Sequence, residues 1–496
     1  MKKTMFTAEK KGDNILMDNQ SNGTDRSLSF GKMVAVIVGS TIGGGIFTTA
    51  GDMAASGAHT ASVLIGWLVA GLGMLCLMMC FFGLNKYRPE LTNGIYSYAK
   101  EGFGEFMGFN SAWGYWLSAI FAQTSYFTLL FGTASYFIPA FGEGNNILSI
   151  ICGTVIIWVL YALILRGVKS AAAVNVVTTI CKLVPIFVFI VALIFVRAFD
   201  PAVFMHNFWG DGSMSLFEQV KATNGTTVWC FIGVEGAVVL SGRARKSSDV
   251  GKASMTGFLG VLAIYIMIAV LSMGVMPAEE MAQLSNPQMG GILASAVGPW
   301  GIVLINAGLM ISLLGGLLGW TIIAADCPFS AAQQGVFMKI FAKTNEKDAP
   351  VFSVLVTQIL TNLTLIILYF STSTYSFFYN ISAEMIMIPY LFSAAYFLKL
   401  CLSREKKLDT GMQQVKNLFF AIVGTVYSFW MLYSSGITMV LLSTILYAPG
   451  IIIYVLGKRE RKEAVFAQRY EAILAVGLVV LAVVSVALLA TGVVSI

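Results

Sequence analysis

The stretch Val38–Thr48, VGSTIGGGIFT, constrains this chain more than any other. Long apolar residues run up to it, Gly43, Gly44 and Gly45 interrupt it, and Ile46-Phe47 resume the run. Each glycine raises the cost of helix by roughly 1 kcal/mol relative to alanine. The rest of the chain decides what that cost means. Of its 496 residues 57% are hydrophobic and 11% charged, whereas a soluble domain carries about 25% charged residues. This is the composition of a polytopic membrane protein. In a bilayer, broken helix survives only where the freed N–H and C=O groups face protein or a wet cavity. An interrupted first span therefore predicts a binding site near the membrane midplane. Close packing through small residues accounts for the glycines alone, but not for a second break.

Thirteen apolar segments are long enough to span, at about 20 residues each. They fall near 32–56, 61–84, 106–137, 147–165, 172–196, 222–242, 253–276, 297–325, 351–370, 376–400, 415–433, 436–456 and 470–493. The last has no polar residue beyond Glu471, Ser485 and Thr491 and reads as a lipid-facing helix. The first 30 residues are polar and charged. They read as a cytosolic tail rather than a cleavable signal, with Met17 a second candidate start. With the N-terminus inside, nearly all the 31 lysines and arginines fall on the inner side. Only Arg197 and Lys221 fall outside, and Lys182 lies within a span. That asymmetry sets a multi-pass orientation in the cell membrane with a cytoplasmic N-terminus. It also explains the net charge of +6 without nucleic acid. The connectors 200–219 and 277–291 are expected to form short surface helices. His59 and His206 are expected to be solvated loop residues. The seven cysteines all lie in or beside apolar stretches without metal-like spacing to histidine, so neither a disulfide framework nor a metal or cofactor site is expected.

Segment 6 is interrupted in turn, by CFIGVEGAVVLSG at 230–242. It lies five spans after segment 1. Five is odd, so the second set of five spans must be inverted relative to the first. Interrupted helices at matching positions of two halves point to an inverted-repeat transport site. Ser40, Thr41, Ile42, Gly43, Gly44 and Gly45 bring N–H groups and hydroxyls suited to a carboxylate. Residues 229–236, WCFIGVEG, with Ile232 at the turn, bring free carbonyls suited to an ammonium. Together they describe a clamp for an amino-acid backbone.

These two motifs resemble the first-helix and sixth-helix motifs of the amino acid–polyamine–organocation (APC) superfamily. LIGWLVAGLGML (64–75), NGIYSYAKEGFGEFMGFNSAWGYWLS (93–118), SDVGKASMTGF (248–258) and VLSMGVM (270–276) are similar to the basic amino acid/polyamine antiporter family, close to its arginine/ornithine antiporters. The resemblance covers most of 30–456. It implies an all-α polytopic membrane protein with a five-plus-five inverted-repeat (LeuT-like) core, broken helices 1 and 6 and about 13 transmembrane helices. The expected units are a cytosolic tail (1–31), a first repeat (32–196), a second repeat (222–400) and peripheral helices 11–13 (415–496). The resemblance also implies exchange of a cationic amino acid for its metabolic product by alternating access, without enzymatic chemistry. The expected partners are amino-acid and amine substrates, the lipid bilayer and a second copy in a homodimer.

By the same resemblance Trp229 closes over the bound side chain and Trp320 lines the pocket, and Tyr115, Ser118, Gln123 and Ser382 match pocket positions. Packing explains the aromatic face of segment 3 equally well, and an interfacial anchor explains Trp229. Three ionisable residues lie deep in spans, at ~2.5–3.5 kcal/mol each on insertion scales. Glu235 fits three roles: a bridge from the broken helix, a gate or a proton carrier. Lys182 resembles the lysine that sodium-independent members place where relatives hold sodium, and is expected to brace the unwound helix 1. Glu384 departs from the antiporter pattern, which has a small polar residue there, and is expected to hold a distal positive charge. It keeps an amino acid/biogenic amine pair such as histidine/histamine open beside arginine/ornithine. A nutrient sensor or a channel is less consistent with these features.

Overall fold

The computed structural model describes residues 30–91, 95–166, 171–235, 247–370, 375–403 and 410–494. Among them the chain is helical. Segment 1 is split into α1 (Phe30–Thr41) and α2 (Thr49–Ala55), joined by a 3-10 turn at Gly45–Phe47. Then follow α3 (Thr60–Tyr87), α4 (Ile95–Phe103), α5 (Glu105–Ala134), α6 (Ile147–Leu165) and α7 (Ala171–Phe195). The connector to segment 6 carries α8 (Pro201–Met205) and α9 (Leu216–Ala222), and segment 6 opens as α10 (Asn224–Phe231). After α11 (Ser247–Val275), the next connector carries α12 (Ala278–Met281) and α13 (Gln288–Val297). The remaining helices are α14 (Trp300–Gln333), α15 (Val351–Tyr369), α16 (Tyr375–Leu402), α17 (Met412–Ser434), α18 (Ile437–Tyr447), α19 (Gly450–Glu460) and α20 (Arg469–Ala490). Nine helical stretches among the described residues are long and apolar enough to cross a membrane. Every one of the thirteen expected segments carries helix. The hydropathy pattern gives no sign of α4, which is short and amphipathic and packs along α5.

The core is built around α5, which packs along both α14 and α16. It is buried over nearly its whole length, and small residues let partners close in. A Cβ on Gly114 would meet the Tyr447 hydroxyl at 1.8 Å. α10 is held by Phe231, whose ring stacks on Phe258 at 5.1 Å and meets Trp67 edge-on at 6.0 Å. α1 packs on α11, and α7 on α14. The terminal α20 is the least buried of the long apolar helices (17%). It is tied down by Glu471, which accepts the Phe106 N–H at 3.1 Å and the Ala467 N–H at 2.9 Å.

One expectation is corrected. His59 is not solvated but 6% exposed. It sits at the start of α3, where its N–H donates to Ser62 Oγ at 2.9 Å and Gln219 of α9 covers it. The 200–219 connector folds back over that helix end. His206 is exposed, as expected.

Candidate functional site

The first break is set by what fills the space above its glycines. A Cβ on Gly43 would lie 2.8 Å from the Tyr126 hydroxyl, and one on Gly45 would lie 2.5 Å from the Trp229 ring. Only residues without side chains let these two aromatics come so close. The N–H of Gly44 donates to the Tyr126 hydroxyl at 3.2 Å. Thr41, Ile42, Gly44 and Gly45 are buried and Gly43 is half-buried. Ser40 belongs to α1, but its side chain lies outside the described residues.

The second break follows α10. Ile232 leaves the helix with ψ 132°, and Gly233 takes φ +98°, which favours glycine. Residues 236–246, the remainder of the expected interruption, lie outside the described residues. Helix ends leave carbonyls unpaired, and here the two ends share a donor. The Tyr265 hydroxyl of α11 lies 3.3 Å from the Thr41 carbonyl and 3.0 Å from the Cys230 carbonyl. The Trp229 indole sits between the breaks. Its N–H donates to the Tyr375 hydroxyl at 3.1 Å. Its ring stacks on Tyr379 and meets Tyr126 edge-on, both with centroids 5.8 Å apart. Trp320 of α14 lies beside the Tyr126 hydroxyl.

Two antiparallel helices frame this centre. Along α5 run Tyr115, Ser118, Gln123 and Tyr126; along α16 run Tyr379, Ser382 and Tyr390. Tyr379 and Tyr390 are separated by about 16 Å at 1.5 Å per residue. The hydroxyl of Ser382 donates to the Ser118 carbonyl at 2.8 Å, and the two hydroxyls lie 3.2 Å apart. Gln123 is buried and accepts from the Thr321 hydroxyl at 2.8 Å. On the α1 side, Glu235 is held from both frames. Oε1 accepts from the Tyr115 hydroxyl at 2.9 Å and Oε2 from the Tyr390 hydroxyl at 2.5 Å. On the α2 side lies a second acid, Asp52, which accepts from the Gln288 amide at 3.2 Å. Lys182 of α7 donates its ammonium proton to the Gly39 carbonyl, two residues before α1 ends.

A family model described as amino acid permease matches residues 28–458. The chain belongs to the amino acid permease family. It is 42% identical over 455 residues to a Pseudomonas aeruginosa protein named arginine/ornithine antiporter, covering 90% of this chain and 94% of that one. It is 37% identical over 468 residues to a Chlamydia caviae protein named arginine/agmatine antiporter, covering 92% and 96%. A Chlamydia trachomatis protein of the latter name is 37% identical over 445 residues, 88% and 92% of the two chains. This is the APC-superfamily kinship to which the motifs pointed, and the family is one of membrane transporters rather than enzymes.

Of the predicted residues of this permease, Trp229, Trp320, Tyr115 and Glu235 lie at or beside the two breaks, while Ser118 pairs with Ser382 and Gln123 with Thr321 on the framing helices. Glu384 does not join them. It is 1% exposed and lies between Ser435, at the end of α17, and Tyr447 of α18. The sequence reading missed Asp52, Tyr265, Tyr375 and Tyr379. Asp52 left a signal: a carboxylate in an apolar segment with Thr48, Thr49, Ala55 and Ser56 at helical spacing, none of them basic. Tyr265 left none, because both its partners are backbone carbonyls.

Proposed function

We propose that this permease is an antiporter that exchanges arginine for ornithine across the bacterial cell membrane, N-terminus in the cytoplasm. One observation carries the reading: two spans break at one level, face each other through the Trp229 ring and the Tyr265 hydroxyl, and leave polar backbone at the centre of an apolar bundle. Such backbone recognises the common part of an amino acid. N–H groups of 43–46 take the carboxylate, and carbonyls around Ile232 take the ammonium. Trp229 and Trp320 flank the side chain, where a guanidinium gains ~0.5–2 kcal/mol from aromatic faces. Ser118, Gln123 and Ser382 line the wall, and Lys182 braces α1. The units 32–196 and 222–400 act as the two inverted halves.

The substrate assignment draws support from the relatives' names, which pair arginine with ornithine or agmatine. Histidine/histamine exchange rested on Glu384, which lies against α17 and α18 instead. Arginine and ornithine carry equal charge, so their exchange is electroneutral. The empty carrier reorients slowly because its backbone acceptors need a cationic partner first. Counterflow in proteoliposomes tests this. Labelled arginine should enter only vesicles preloaded with ornithine or arginine; entry into unloaded vesicles at the same rate would overturn exchange.

A further inference from the structure

We propose that Asp52 and Gln288 form a second cation-binding subsite on the α2 side of the Trp229 ring, which receives the positive end of the substrate before it reaches the two breaks. This deepens the function proposed above and rests on it. Asp52 is 7% exposed and Gln288 5%. The Gln288 amide donates to Asp52 Oδ1 at 3.2 Å. That single bond leaves Asp52 Oδ2 and the Gln288 carbonyl Oε1 buried without a donor. Two unsatisfied oxygens, one of them of a carboxyl group, therefore lie next to each other in a membrane-embedded wall. Leaving such groups unpaired is costly.

The surroundings offer hydroxyls but, among the described residues, no cation. The Thr48 hydroxyl, beside the carboxylate, donates to the Gly45 carbonyl at 3.0 Å. The Tyr379 hydroxyl, also beside it, lies 3.2 Å from the Thr226 hydroxyl, and either of the two can be the donor. No lysine, arginine or histidine pairs with Asp52 among the described residues. What surrounds the acid instead is aromatic. Tyr375 and Tyr379 lie with centroids 5.0 Å apart, and Tyr379 stacks on Trp229. Acceptors short of donors, walled by π faces, call for a ligand with several N–H donors on one cation: a guanidinium or an alkylammonium. Gln288 begins α13, in the connector between segments 7 and 8, so the subsite borders one aqueous face of the bundle and not the other. A cation held there lies above the Trp229 ring and directly on the way to the space the ring closes.

The test is a sided one. Purified full-length protein is reconstituted into proteoliposomes, and arginine is titrated separately from each face for wild type, Asp52→Asn and Asp52→Glu. Asparagine still accepts the Gln288 bond, so the melting temperature in detergent should stay at the wild-type value. The expected result for Asp52→Asn is a KM about tenfold higher from the α2 face, the loss of one charged contact, with KM from the other face and the maximal rate unchanged. Asp52→Glu should restore part of the loss. An unchanged KM on both faces, or an equal rise on both, would overturn the subsite while wild-type exchange stands. Absence of arginine exchange by the wild type would overturn the proposed function and this inference together.

Discussion

Glu235, half-buried, and Asp52, buried, are both carboxylates next to a helix break, on opposite sides of one indole ring, and their hydrogen bonding is opposite. Glu235 has a tyrosine hydroxyl on each oxygen, one from α5 and one from α16. Asp52 has one amide on one oxygen and nothing on the other. The first acid is a latch: its partners belong to the protein and fasten the unwound end of segment 6 to both framing helices. The second is short of a partner. Between these two acids, the difference lies in whether the protein itself supplies the donors.

The largest expected effect comes from removing the divide between the two sides. Gly45→Val forces atoms into the space of the Trp229 ring, and overpacking of a few kcal/mol lowers exchange by about 100-fold or more. Labelled-arginine counterflow reads this directly, and near-normal exchange would show that the ring has room to move. Glu235→Ala comes next. It strands two tyrosine hydroxyls, each worth roughly 1.5–3 kcal/mol when paired with a charged group. The melting temperature should fall, and exchange should slow equally from both faces, in contrast to the one-sided response expected of Asp52→Asn. A one-sided response for Glu235→Ala would make the two acids alike. Lys182→Met removes the brace on Gly39 and should slow exchange about tenfold, a loss near 1.4 kcal/mol, while the ratio of arginine to ornithine KM stays constant. A changed ratio would bring Lys182 into the pocket. Glu384→Gln should have the smallest effect: unchanged preference between arginine and ornithine in competition uptake. A shift in that preference would return Glu384 to substrate recognition.

The bundle could be read from the sequence because apolar runs of about 20 residues and a glycine triplet are signals carried by consecutive residues. Trp229, Glu235 and Ser382 were singled out from motifs, which consecutive residues also carry. Glu384 was misplaced by geometry that the sequence does contain. Two residues along a helix turn through about 200°, so a Ser382 that meets α5 sends Glu384 to the opposite face, against α17 and α18. Asp52 was overlooked because it follows the break instead of lying in it. Its environment is assembled from α13, α16 and α10, remote segments that no local pattern connects. Tyr265 was invisible for a further reason: it answers to main-chain oxygens, which every residue has.

That tyrosine has one proton and two claimants. Thr41 ends one half-helix and Cys230 lies at the end of the other, so the hydroxyl can favour only one of them at a time. Whichever end lacks the proton leaves the other with the stronger bond. One phenol thus ties the fates of the two helix ends together.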